Sequence, residues 1–171
     1  MKDPDYERAM GYALRLLSFR MRTQKELGER LIRKGFNADI TAAILERLKD
    51  MGYLDDQVYV ESYIRGRSKP TGKRLFRHEL SKKGIDKDVA EQGLKDHYSG
   101  EDELAAASGM AAKLWRLAQR HNPEPADETA ARVLKLKTMQ KIAAKLLLRG
   151  FSYETVKTVL NDIEPEFMES Q

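Results

Sequence analysis

The chain has 171 residues, 41% of them hydrophobic and 34% charged, with a net charge of +4 and a mean hydropathy of −0.64. This composition suits a water-soluble globular protein, and no window approaches the roughly 20 consecutive apolar residues that a bilayer-crossing helix needs. Cysteine is absent, so disulfides, thiol nucleophiles and sulfur-ligated zinc are excluded.

His78, His97 and His121 are far apart and lack partners at helical metal-ligand spacing. The sequence contains no GxxxxGK[ST], GxGxxG or GxSxG pattern. The expectation is a protein without a metal, a cofactor or a catalytic centre. Residues 1–10 hold acids and no apolar run, so they do not read as a secretory signal, and the cytoplasm is the expected compartment.

In chain order, Tyr6, Met10, Ala13, Leu14 and Leu17 recur at three- and four-residue spacing and define one helix face. Thr23 with Glu26 reads as a capping box opening a second helix. That helix ends at Leu31-Ile32-Arg33-Lys34-Gly35-Phe36. Glycine there can take the left-handed conformation, and the apolar residue after it can fold back onto the leucine. Asn37 then caps a third helix, with Asp39 in the first turn where the helix dipole favours an acid, and with Ile40, Ile44, Leu45 and Leu48 on its face up to a stop near Gly52.

The same pattern then recurs. Asp55 or Asp56 caps a helix bearing Tyr59, Val60, Tyr63 and Ile64; adjacent carboxylates at such a turn read as caps rather than as acid/base or metal chemistry. A break at Pro70-Thr71-Gly72 precedes a helix with Leu75, Phe76 and Leu80. That helix ends in a second corner, Leu80-Ser81-Lys82-Lys83-Gly84-Ile85, followed by Asp86 and Asp88. Val89 and Leu94 mark the next helix.

Leu104, Ala107, Ala111, Leu114, Trp115 and Ala118 describe a helix from about Glu101 to Arg120, with Trp115 expected in the core. After the linker Asn122-Pro123-Glu124-Pro125, a long helix runs from about Thr129 to Arg149. It ends in a third corner, Leu146-Leu147-Leu148-Arg149-Gly150-Phe151, with Ser152 and Glu154 following. The first two corner glycines are 49 residues apart and the last two 66, which leaves about 17 extra residues in the third repeat. The expected fold is all-α: three tandem three-helix repeats over residues 1–52, 53–99 and 100–171, forming an elongated, curved array, the third with extended first and second helices.

Charge follows the repeats. Residues 15–34 hold seven bases and two acids, residues 65–83 eight bases and one acid, and residues 132–149 six bases and no acid. Residues 35–64, 96–128 and 150–171 each sum to −4. The middle helix of each repeat is therefore basic. Lys34, Lys83 and Arg149 are explained equally well as bases at helix C-termini, where they complement the dipole. The run Arg65, Arg67, Lys69, Lys73, Arg74, Arg77, Lys82 and Lys83 goes beyond that and is the candidate surface for a polyanion or an acidic protein groove.

Taken in order, Ala13-Leu14-Arg15-Leu16-Leu17, Arg22-Thr23, Glu26-Leu27, the first corner and Gly52-Tyr53-Leu54-Asp55-Asp56 resemble the first half of the RecX family. Gly72, Glu79-Leu80 and Lys83-Gly84-Ile85 resemble its second repeat, and Leu147, Arg149-Gly150-Phe151 and Ser152-Tyr153-Glu154 its third. Residues 101–128 carry no matching motif. Thr71 stands where the family often has a further glycine, which leaves the geometry of that loop open. The resemblance implies a non-catalytic modulator that binds the RecA filament and lowers its ATP hydrolysis and strand exchange, with single- or double-stranded DNA as a further ligand, and nothing in the sequence requires more than a monomer. The alternative reading is a helix-turn-helix DNA-binding protein, against which stands the acidic character of the third helices.

Overall fold

The structure, a computed structural model, describes residues 4–121 and 124–163. Among these residues it contains nine α-helices: α1 Pro4–Phe19, α2 Gln24–Lys34, α3 Ala38–Asp50, α4 Asp56–Arg65, α5 Lys73–Lys82, α6 Lys87–His97, α7 Gly100–His121, α8 Glu128–Leu148 and α9 Tyr153–Ile163. No strand occurs among the described residues, so the fold is an all-α repeat. Asn122 and Pro123 of the expected linker, and residues 164–171 of the acidic end, lie outside the described residues.

Each of the three expected corners forms. Gly35, Gly84 and Gly150 take φ of +100°, +81° and +84°, a region in which L side chains are strained. In each, the glycine N–H and the N–H after it donate back to the helix that is ending: Gly35 to Ile32 and Phe36 to Leu31, Gly84 to Ser81 and Ile85 to Leu80, Gly150 to Leu147 and Phe151 to Leu146, all at 2.9–3.2 Å. This pair of bonds satisfies carbonyls that a helix end otherwise leaves open.

The expected caps follow. Asn37 Oδ1 accepts from Ile40 N, Asp86 Oδ1 from Asp88 N and Ser152 Oγ from Thr155 N. The stop expected near Gly52 is a fourth corner of the same backbone shape: Gly52 at φ +73° donates to Lys49 and Tyr53 donates to Leu48, with Met51 where the other three have a base. Asp55 is the cap of α4 and accepts from Gln57 N and Val58 N.

The chain divides into two compact units, one of Met1–Gly66 with His78–His97 and one of Arg67–Arg77 with Tyr98–Gln171, so α5 contributes its first half to the second unit and its second half to the first. In the first unit, Ala9, Ala13, Leu27, Leu31, Ile44, Leu48 and Leu54 form a buried cluster from α1, α2, α3 and the turn after it. α4 packs on α6, where Gly93 lies directly under Val60 and has no room for a Cβ. In the second unit, Ala107, Ala111 and Trp115 of α7 meet Ile142 and Leu146 of α8 and Val156, Val159 and Ile163 of α9, around the corner residue Phe151. Each large side chain buried in this way contributes roughly 1.5–3 kcal/mol. The third corner is therefore part of a core and not a surface turn.

Candidate basic interface

α5 exposes Arg74, Arg77, His78, Ser81 and Lys82, at the three- and four-residue steps of one helix face, while Phe76 and Leu80 are buried on the other. Of the eight candidate bases, Arg65, Lys69, Arg74, Arg77 and Lys82 are exposed, and Arg67, Lys73 and Lys83 are half-buried. They are also divided: Arg65, Lys82 and Lys83 belong to the first unit, and Arg67, Lys69, Lys73, Arg74 and Arg77 to the second.

Their surroundings differ. Arg65 pairs with Glu61 one turn back at 2.6 Å, but its side chain is 69% exposed, so the pair adds little to stability. Lys83 is held inside the first unit. Its Nζ donates to Glu26 Oε1 at 2.7 Å and stands 5.7 and 5.5 Å from the ring centroids of Tyr59 and Tyr63. Burial would lower the Lys83 pKa, yet the hydrogen bonds to Glu26 and Tyr59 outweigh it and hold the ammonium above its usual value. Burial likewise works against the Glu26 carboxylate, but the bond and charge of Lys83, then those of Arg20, hold its pKa below the usual value. The Thr23–Glu26 capping box is therefore half formed: Thr23 Oγ1 accepts from Glu26 N, while the Glu26 carboxylate turns to Lys83 and Arg20 instead of the Thr23 N–H.

In the second unit the loop before α5 is built on Thr71, which is 2% exposed. Its hydroxyl donates to the Lys69 carbonyl at 2.8 Å and accepts from Arg67 Nε at 3.2 Å and Arg149 Nη2 at 3.0 Å. Where a glycine was the alternative, the threonine side chain thus ties its own loop to the corner after α8. Tyr98 donates to the Thr71 carbonyl, and burial, with the nearby charges of Glu103 and Asp102, pushes the phenol pKa up to about 12. The N–H of Lys73 donates to Glu103 Oε1 at 2.7 Å, so an acid 30 residues away serves the open start of α5. Arg74 Nη2 donates to the Leu147 carbonyl at 2.6 Å.

Arg67, Arg74 and Lys83 thus have internal roles through their side chains and Lys73 through its backbone N–H, while the side chains of Lys69 and Lys82 are exposed. Glu26, Glu103, Thr71 and Tyr98 were missed as organisers because their long-range partners lie 27–78 residues away and leave no local pattern. Among the described residues, no group of three His, Asp or Glu stands ready to hold a metal ion, and no helix is long and apolar enough to cross a membrane.

This architecture defines an all-α repeat protein built from three-helix domains closed by glycine corners. The family model for the first three-helix domain of RecX matches residues 9–48, and that for the second matches residues 55–94. A regulatory protein RecX of Mycobacterium sp. strain KMS is 33% identical over 157 residues, covering 88% of this chain and 81% of that one. One of Clostridium perfringens strain SM101 is 27% identical over 170 residues, covering 99% of this chain and 75% of that one. The crystal structure of RecX from Lactobacillus salivarius superposes with a TM-score of 0.78 at 28% identity, covering 94% of this chain and 97% of that one. The chain belongs to the RecX family of regulatory proteins.

Proposed function

We propose that this protein is a non-catalytic regulator that binds the RecA filament in the cytoplasm and lowers its ATP hydrolysis and strand exchange. The observation that carries this reading is family membership across 88% of the chain. The exposed bases of α5 add a surface suited to an acidic filament face or to the DNA inside it. The reading takes residues 1–52, 53–99 and 100–171 as three repeats, each too small to bind tightly alone, whose weak contacts add when several engage one filament. No cofactor enters this activity.

The test is single-strand-dependent ATP hydrolysis by RecA, titrated with this protein at fixed DNA and salt. Inhibition well below one molecule per RecA is the expected result. Full hydrolysis with the folded protein in excess would overturn the proposal, and the helix-turn-helix DNA-binding reading would take its place.

A further inference from the structure

The apolar core of the second unit stops partway along its two longest helices. On α7 the packed residues run from Leu104 to Trp115, and on α8 from Leu147 back only to Met139. Since α8 begins at Glu128, roughly 15 Å of helix reaches past that core as an arm.

The arm is nevertheless apolar on its outer side. Val133 and Leu136 are 47% and 58% exposed. With Lys137, Gln140 and Lys141, which are exposed as well, they follow the three- and four-residue steps of one helix face. Thr138, Ile142 and Leu146, which are buried, lie on the opposite face. An isolated exposed valine or leucine is ordinary, but here two of them adjoin two cations. The ion pairs among the described residues include neither Lys137 nor Lys141, and residues 132–149 hold six bases and no acid. Along the face the chemistry has an order: the lysines stand nearer the core, and the apolar pair stands further out.

The same chain carries the complement in the same order. After Ile163 it reads Glu164-Pro165-Glu166-Phe167-Met168-Glu169-Ser170-Gln171, with two acids first and then an adjoining pair of large apolar residues. Ile163 is buried in the core of the second unit, so this segment starts from the core beside which the arm begins. Eight residues extend to roughly 26–29 Å, ample for an arm of this length. A second copy laid on the face about a two-fold axis would bring Lys137 and Lys141 against the same cations, which opposes such a pairing. A segment tethered at Ile163 meets no such repulsion, and its effective concentration is on the order of millimolar.

We propose that residues 164–171 fold back along the outer face of α8. Glu164 and Glu166 then pair with Lys141 and Lys137, and Phe167 and Met168 cover Leu136 and Val133. This inference does not depend on the RecA reading.

The test is amide hydrogen exchange of the full chain at low micromolar concentration and low salt, which reports local opening of the arm. Phe167→Asp with Met168→Asp is expected to speed exchange over residues 130–141 at least fivefold and to leave α1 to α6 unchanged. Lys137→Glu with Lys141→Glu is expected to do the same, and adding Glu164→Lys with Glu166→Lys to restore slow exchange, since the exchanged charges pair again. A change in helix propensity alone would not be reversed in this way. Exchange unchanged by Phe167→Asp with Met168→Asp would overturn the proposal, as would a charge reversal that restores nothing. Protection that grows with protein concentration, together with a mass above one chain, would overturn it in favour of a second copy on this face.

Discussion

The Lys83 ammonium is the base whose surroundings most change its reading. In sequence it is one of eight candidate bases; in the fold its side chain is 25% exposed and that of its partner Glu26 20%. A pair this sheltered is screened less than a surface ion pair, and breaking it strands a partly buried charge. The pH behaviour follows from the two shifts. The Glu26 pKa is lowered in the fold, so its contribution is complete above the usual carboxyl value and is lost as pH falls through the depressed one. The Lys83 pKa is raised, so its contribution is complete below the usual ammonium value and is lost as pH rises through the elevated one. Glu26→Gln is expected to lower stability by roughly 1–2 kcal/mol at neutral pH and to flatten the acid limb of a plot of Tm against pH. An acid limb as steep as that of the parent would show that Glu26 does not carry the effect.

Among the elements, the glycine corners organise the chain, and they were the most legible part of it. Glycine, the leucine four residues before it and the apolar residue after it are all within six positions, so three corners and their caps could be read from spacing alone. The fourth, at Gly52, was legible as a stop but not as a corner because Met51 replaces the base, although the base plays no part in the two backbone bonds that close the corner. The contacts that cover the corners were not legible, because Thr23 with Lys83 and Thr71 with Arg149 join residues 60 and 78 positions apart. The candidate bases were legible as a cluster of charge, but which of them point to solvent depends on those same long-range contacts.

Gly72 makes the covering of the third corner testable. An ideal Cβ on it would stand 2.2 Å from the Gly150 carbonyl carbon and oxygen, and those atoms are backbone and cannot rotate away. Its φ is not positive, so an alanine there brings a packing conflict with no left-handed strain. Gly35 is the reverse case, with left-handed φ and open space. Gly72→Ala is expected to cost about 3 kcal/mol or more, the upper range of an overpacked core, and Gly35→Ala about 1–2 kcal/mol from backbone strain alone. Urea midpoints would rank them, and equal losses would contradict the assigned close approach.

At the scale of the whole molecule, the segregation of charge sets middle helices of positive sign against connections and third helices of negative sign. The fold separates the bases that hold the protein together from those facing outward, and this decides which substitutions test binding. Changing the side chain of Arg67, Arg74 or Lys83 would loosen the contacts around α5, so any loss of function would follow from loss of structure. Arg65, Lys69, Arg77 and Lys82 are exposed. Replacing these four together with Ala is expected to leave helical content intact and to weaken RecA inhibition several-fold. If the bases meet DNA phosphates, the slope of log K against log salt should fall by about 0.7 to 0.9 for each contact removed, on single and double strands respectively. If they meet an acidic protein face, affinity should fall without that fixed decrement, and free DNA should show no difference between the parent and the variant. Unchanged inhibition by the folded quadruple variant would remove these four bases from the interface and leave binding to the other surfaces of the repeats.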